Sequence, residues 1–382
     1  MIVNDTTPPG GSKVGLLIAG DSPAAFSPIA RAIVHASVAA AKPGTSSFTI
    51  LCESAASTPS APLPMIAAWS RADERCVQLT DAVLSQAFTS LVVVAPLRSF
   101  NPQAFAALCE TVRAAGTNVV AVCRAEEMVD PAITPILAQL DGALCVCTID
   151  RLATIAAGVA AAKVHQLELA ATPVAPRAEA LAALATEHHA RIIATLWSGA
   201  PESGLEALLQ TVESIRQTGI PAKLLVLRSD SRIVGTAQDR PHHQAYVASL
   251  EARGCIVPSA TSLKAIPQFL AAAELLVVTA DKPTEEVASA VRCALAAEIP
   301  VISTAPALLQ QFAPAVTAPM APFTLPAMVR AALVRDGFKR ALNDGRSTVA
   351  TVGQMATRFL AVLDQLPKRS RAVHQPAQSV VP

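Results

Sequence analysis

The 382-residue sequence predicts an α/β protein made of two parallel-sheet domains in tandem. Three observations carry that expectation. Short β-type runs recur at 14–19, 48–52, 91–95, 118–123, 143–147 and 164–169, most of them separated by Ala-rich stretches of helical period such as 28–41 and 103–115. Strands apolar on both faces that alternate with helices mark a parallel sheet covered on both sides. After Pro173 and Pro176 the pattern restarts at 191–196, 224–227, 255–257, 275–279 and 301–303. Finally, 52% of the residues are hydrophobic and 15% charged, which is enough apolar material for two cores.

The helices of the second half are the clearest. Leu205, Leu208, Leu209, Val212 and Ile215 make one apolar stripe that Gly219 and Pro221 end, so a core-facing helix is expected over 202–218. Val349, Val352, Ala356, Phe359, Leu360 and Leu363 repeat the spacing and predict an amphipathic helix over 348–366. Beyond it the chain carries Lys368, Arg369 and Arg371 without a core pattern and is expected to be disordered. The expected division is a Rossmann-like N-terminal, acceptor-side domain over 1–172 and a Rossmann-like C-terminal, donor-side domain over 173–345. A bracing helix over 346–366 and a disordered tail over 367–382 follow.

Charge and cysteine usage narrow the function classes. Thirty basic against 29 acidic residues leave a formal charge of +1, which disfavours a polyanion-binding role, so no nucleic acid partner is expected. The eight cysteines form no CxxC pair and lack matching His spacing, so they read as reduced core residues and no metal site is expected. Charge or proline cuts every apolar stretch short of the roughly 20 residues a bilayer needs. Residues 152–162, the most apolar run, are bounded by Arg151 and Lys163, and the polar start lacks the order of a signal peptide. A cytoplasmic protein without a membrane span, peripheral to the membrane at most, is expected.

The text at 140–173, with Gly158, Val159, Lys163 and Val164 as its anchors, and the stretches that follow at 191–215, 222–231, 246–260, 264–280 and 285–304 resemble the GT-B glycosyltransferases. The likeness is closest to the retaining group called family 4 or group 1, and it spans about 13–366. It implies two Rossmann-like domains facing a cleft and sugar transfer, in polysaccharide biosynthesis, from a nucleotide sugar to a glycan or lipid-linked acceptor. The nucleotide sugar would be a co-substrate, and no other cofactor is implied.

Laid over that family, the diphosphate-binding turn falls on 197–204, where Ser198 stands in the place of Arg and Ser203 in that of Lys, while Gly199, Glu202 and Gly204 remain beside a helix N-terminus. Fixed cations or helix amides are what a departing diphosphate requires, and hydroxyls give weaker, neutral hydrogen bonds. The two acidic positions along the donor sugar fall on Glu286 and Cys293, and Glu298 occupies the place of a glycine in the turn before Pro300-Val301. A transferase without that Arg and Lys pair would use other groups for its donor chemistry, for example Arg228, Arg232 or the helix amides after Gly199. On the acceptor side the resemblance points to Gly20 and Asp21 after the first strand, and to Cys123 and Arg124 where the family places a His near the donor sugar.

Structural explanations stand beside these. Glu285 and Glu286 suit a helix start whatever the function. Cys123, Cys145, Cys147 and Cys293 fit ordinary packing. His188-His189 and His242-His243 are adjacent pairs that cannot share a helix or strand face. Two function classes follow: a sugar-nucleotide-dependent transferase that uses substitute residues, and a non-catalytic, glycosyltransferase-like subunit or scaffold for an active glycosyltransferase partner. A nucleotide-binding regulator or an epimerase ranks below them, because an epimerase needs clustered acids and His.

Overall fold

The computed structural model describes residues 12–19, 26–41, 46–53, 62–70, 73–172, 174–185, 190–197, 204–228, 240–258, 265–279, 285–304, 324–334 and 349–369. Two compact units emerge: Met1–Leu169 with Val352–Pro382, and Ala170–Thr351.

Unit 1 runs β1 (Ser12–Leu17), α1 (Pro28–Ala40), β2 (Ser46–Cys52), β3 (Met65–Ala67), α2 (Val77–Gln86), β4 (Ser90–Val93) and α3 (Pro102–Ala114). It continues through β5 (Asn118–Val122), α4 (Ala125–Met128), α5 (Thr134–Ala138), β6 (Gly142–Cys145), α6 (Thr148–Ala156) and β7 (Val164–Gln166). The seven strands lie in the order β3-β2-β1-β4-β5-β6-β7 and every pairing is parallel. Unit 2 holds α7 (Arg177–Ala183), β8 (Arg191–Trp197), α8 (Leu205–Gln217), β9 (Ala222–Arg228), α9 (Arg240–Ala252), α10 (Ala265–Leu270), β10 (Leu275–Val278), α11 (Glu285–Ala296), β11 (Val301–Ser303) and α12 (Leu325–Val334). Its parallel sheet has the order β11-β10-β8-β9, and a bridge from Leu225 to Ile256 continues it where a strand at 255–257 was expected.

Most of the expected strands are buried on both faces, whereas the edge strand β7 buries only Val164. Every residue of β4 and β5 is buried, as are the last six of β8. The three-residue β3 was not expected; it is too short and too exposed to leave a periodic trace. Two helices begin with the same device. Ser27 accepts a hydrogen bond from the Ala30 amide ahead of Pro28, and Asn101 does so from Ala104 ahead of Pro102.

The anchors at 158–164 have structural work. Gly158 holds φ +101° as the chain leaves α6, Val159 is buried, and the Lys163 ammonium donates to the Leu140 carbonyl at 2.8 Å. Glu298 takes φ +59°, so the turn keeps the left-handed backbone that the missing glycine would supply. Replacing Glu298 by glycine should therefore raise the unfolding free energy by about 1 kcal/mol, read by chemical denaturation.

Among the described residues, each unit has a tightly bonded acid at the amino edge of its sheet. In unit 2, Glu274 precedes β10 and accepts from Arg177 at 2.9 Å and Arg191 at 2.6 Å. Burial pushes its carboxyl up, but the two guanidiniums outweigh that and hold it below the usual range. In unit 1, Asp141 precedes β6 and accepts from the Val119 amide at 2.9 Å and from Arg369 at 2.6 Å.

That arginine belongs to the returning C-terminal segment. Helix α13 (Val352–Gln365) packs against α1, and its buried Phe359 stacks on Phe48 with centroids 6.3 Å apart. The tail expected from Pro367 onward has its first three residues in place. The Pro367 carbonyl accepts from Asn118 Nδ2 at 3.0 Å, and Arg369 Nε donates to Asn118 Oδ1 at 3.1 Å. The rest of the tail lies outside the described residues. Among the described residues no helix is long and apolar enough to cross a membrane.

Candidate functional site

Ligands of open parallel sheets bind beyond the carboxyl ends of the strands, where the strand order reverses. In unit 2 the chain leaves β8 for β9 on one side and reaches β10 on the other, so the reversal lies between β8 and β10. The carboxyl end of β8 is Trp197, whose indole packs on Tyr246 at 4.9 Å between centroids, and the end of β10 leads to the buried Thr279.

Helix α8 starts at this point. Its N-cap, Gly204, has φ +66°, and a Cβ there would lie 2.8 Å from Thr279 Cβ and 3.1 Å from the Thr279 carbonyl oxygen. Only glycine fits that approach. Glycine also has no side chain to accept from the first-turn amides, and no side-chain cap is formed. The positive end of a 13-residue helix therefore starts at the strand reversal, and its N-cap residue supplies no side-chain acceptor to the first-turn amides. In the same first turn Glu206 is held by Arg253 through two bonds of 2.8 and 3.0 Å. The hydrogen bonds from that guanidinium keep the Glu206 carboxyl ionised below the usual range.

Arg228 ends β9 in register with Trp197, and Glu286 is the second residue of α11; the backbone of both is placed, on the carboxyl side of the sheet. Ser198, Gly199, Ser203 and Arg232 lie outside the described residues, as do Gly20 and Asp21. Cys293 is buried in the unit 2 core.

In unit 1 the order reverses between β1 and β4, and the elements after β4 and β5 build the adjoining edge. Cys123 is fully buried with its sulfur 3.7 Å from the Ala121 carbonyl, and burial drives its thiol pKa far up, so it packs as a neutral side chain. Its neighbour Arg124 is half-buried at the start of α4, with its guanidinium 3.2 Å from Glu126 and 3.7 Å from Glu127. Glu127 was not singled out by sequence. It is only 2% exposed, burial pushes its carboxyl up, and Arg124 and Arg98 pull it back. Asp150 of α6 approaches the same edge and accepts from the Ala125 amide at 2.8 Å. The sequence signal that could have found Glu127 is weak: two adjacent acids after a buried strand, of which either could face inward.

Among the described residues, no group of three His, Cys, Asp or Glu is placed to hold a metal ion.

No family model matches the chain, and no curated protein matches it in sequence. Solved structures do match it in fold. Sucrose-phosphate synthase from Thermosynechococcus elongatus aligns with a TM-score of 0.66 at 15% identity, over 93% of this chain and 98% of that one. Anabaena HepE, crystallised in complex with UDP and glucose, aligns at 0.63 and 13% identity, over 93% and 100%. A glycosyltransferase from Rickettsia africae aligns at 0.63 and 8% identity, over 94% and 100%. Identities this low speak for architecture alone, and in architecture, two parallel-sheet α/β units, the chain has the GT-B glycosyltransferase fold.

Proposed function

We propose that the chain is a glycosyltransferase-like protein of the retaining family 4 type that binds a nucleoside diphosphate sugar in unit 2 and takes a glycan or lipid-linked acceptor in unit 1. The observation that carries this reading is the N-terminus of α8, which starts at the β8–β10 reversal on a glycine N-cap pressed against Thr279. A diphosphate is the ligand chemistry that such a helix end favours. That HepE was crystallised with UDP and glucose on the same architecture supports the choice of ligand class.

The donor group is Ser198, Gly199, Ser203, Gly204, Arg228 and Glu286, and the acceptor side is Gly20, Asp21, Cys123 and Arg124. Ser198 and Ser203 bring hydroxyls where an Arg and Lys pair would offset the charge on the departing diphosphate. Losing one preorganised donor in such a site costs about 3 kcal/mol, roughly a hundredfold in rate. Turnover by the isolated chain is therefore slow or absent, which favours a second reading as the non-catalytic subunit of an active partner.

Calorimetry with UDP, ADP and GDP and their glucose conjugates, followed by a turnover assay on whichever binds, tests both readings. The expected result is measurable affinity for one nucleotide with turnover far below about 1 per second. No heat with any nucleotide at millimolar concentration would sink the donor reading, and turnover at or above about 1 per second would sink the slow-enzyme reading.

A further inference from the structure

Helix α6 lies inside out. In α8 and α13 the apolar stripe is the buried one. In α6 the two buried residues are Asp150 and Thr154, while Ile149 is 41% and Leu152 58% exposed, and Ala156 is exposed one turn further on. With about 3.6 residues per turn, Ile149, Leu152 and Ala156 share one face and the two polar residues take the other.

Bonds within the chain hold the helix in this rotation. The Asp150 carboxylate accepts from the Ala125 amide at 2.8 Å, and the Thr154 hydroxyl lies 3.5 Å from the Cys145 sulfur. Turning the apolar side inward would strand both groups, so Leu152 stays outward. The apolar surface also extends beyond α6. Helix α4 packs against it and is capped by Val129, which is 82% exposed, and residues 160–162 are three exposed alanines. Of the seven large apolar side chains exposed among the described residues, three stand here. Such a concentration marks an interaction site.

Charge selects what covers it. Residues 124–163 hold three basic and five acidic side chains, so the face does not attract an anionic lipid surface. Both signs border the apolar residues, with Asp130 next to Val129 and Arg151 next to Leu152. A surface that meets its own copy across a two-fold axis needs both signs, because each side of it is paired with the other side. The formal charge of +1 on the whole chain leaves two copies without mutual repulsion. Alanine at 156 and at 160–162 adds little bulk, which lets a second helix lie close.

We propose that the outward face of α6, together with Val129, is the docking surface for a second copy of this chain in a two-fold dimer. Leu152 is its centre, and the dimer is independent of the nucleotide reading of unit 2.

Sedimentation equilibrium of the full chain, from low to high micromolar concentration, tests it. A monomer–dimer equilibrium is expected, and Leu152→Glu should weaken it by about a hundredfold or more, because each new carboxylate is buried against the apolar face of the other copy. A substitution at so exposed a position leaves the fold intact, which thermal melting of the variant checks. Should Leu152→Glu fail to fold, Ala156→Glu on the same face is measured in its place. A chain that is monomeric at every concentration overturns the proposal. So does a dimer that the Glu variant does not weaken, since its interface lies elsewhere. Flotation with phosphatidylcholine–phosphatidylglycerol vesicles, if present in the native chain and lost in Leu152→Glu, gives the face to a membrane and overturns the proposal as well.

Discussion

Replacing Asp141 by alanine is expected to lower the unfolding free energy by about 3–5 kcal/mol, a large share of what holds a domain folded. Its carboxylate is 3% exposed and joins three parts of unit 1 at once: the Val119 amide at the start of β5, Arg113 of α3 at 3.5 Å, and Arg369 beyond α13. Alanine leaves two guanidiniums and an amide facing an apolar hole, and the unpaired groups rather than the lost bond set the cost. The returning segment loses its terminal anchor in the same step, although α13 keeps the contacts of Phe359. Urea unfolding of Asp141→Ala beside Arg369→Met measures the effect. The methionine variant removes the outer partner while filling space, so it should lose less than Asp141→Ala. Equal losses would place the whole effect in the Arg369 contact.

The second large effect is expected at Gly204. Valine there must adopt φ +66°, which costs about 1–2 kcal/mol, and it must also push back Thr279, whose Cβ and carbonyl are already too near for a Cβ, at about 1–3 kcal/mol more. The valine variant should unfold at visibly lower temperature and lose nucleotide affinity by more than tenfold, because the start of α8 can no longer stand against β10. Gly219→Val is the matched control. It has φ +83°, and a Cβ there would meet nothing within 4 Å, so it carries the backbone cost without the collision and should leave nucleotide affinity intact. If both variants lost affinity alike, general destabilisation rather than the placement of α8 would be the cause.

Much of the fold was legible from local pattern. Strands buried on both faces carry apolar runs, 91–93 in β4 and 119–122 in β5, and the stripe on α8 ends where Gly219 turns left-handed. Such features depend on residues a few positions apart, so sequence carries them directly. The site was legible only in part. Gly204 could be named as a retained motif glycine, but its contact with Thr279 joins residues 75 positions apart. The anchors at 158–164 were legible as a family likeness, and their geometry is that of a turn, Gly158 left-handed and Lys163 bound to the Leu140 carbonyl.

The alternation of apolar strands with amphipathic helices, determined by the sequence alone, made this a parallel α/β protein with two cores, since burial on both faces leaves a mark in every residue of a strand. Which strands are neighbours was decided only in the tertiary structure, through inter-strand hydrogen bonds that every residue's backbone can make and that therefore leave no residue-specific trace. From that order came the reversal points between β1 and β4 and between β8 and β10, which are the positions where open parallel sheets generally place ligands. The same holds for Glu126 and Glu127. They are identical neighbours in sequence, yet one is exposed and the other buried, because packing against the turn after β4 selects one direction out of the helix and leaves the other in water.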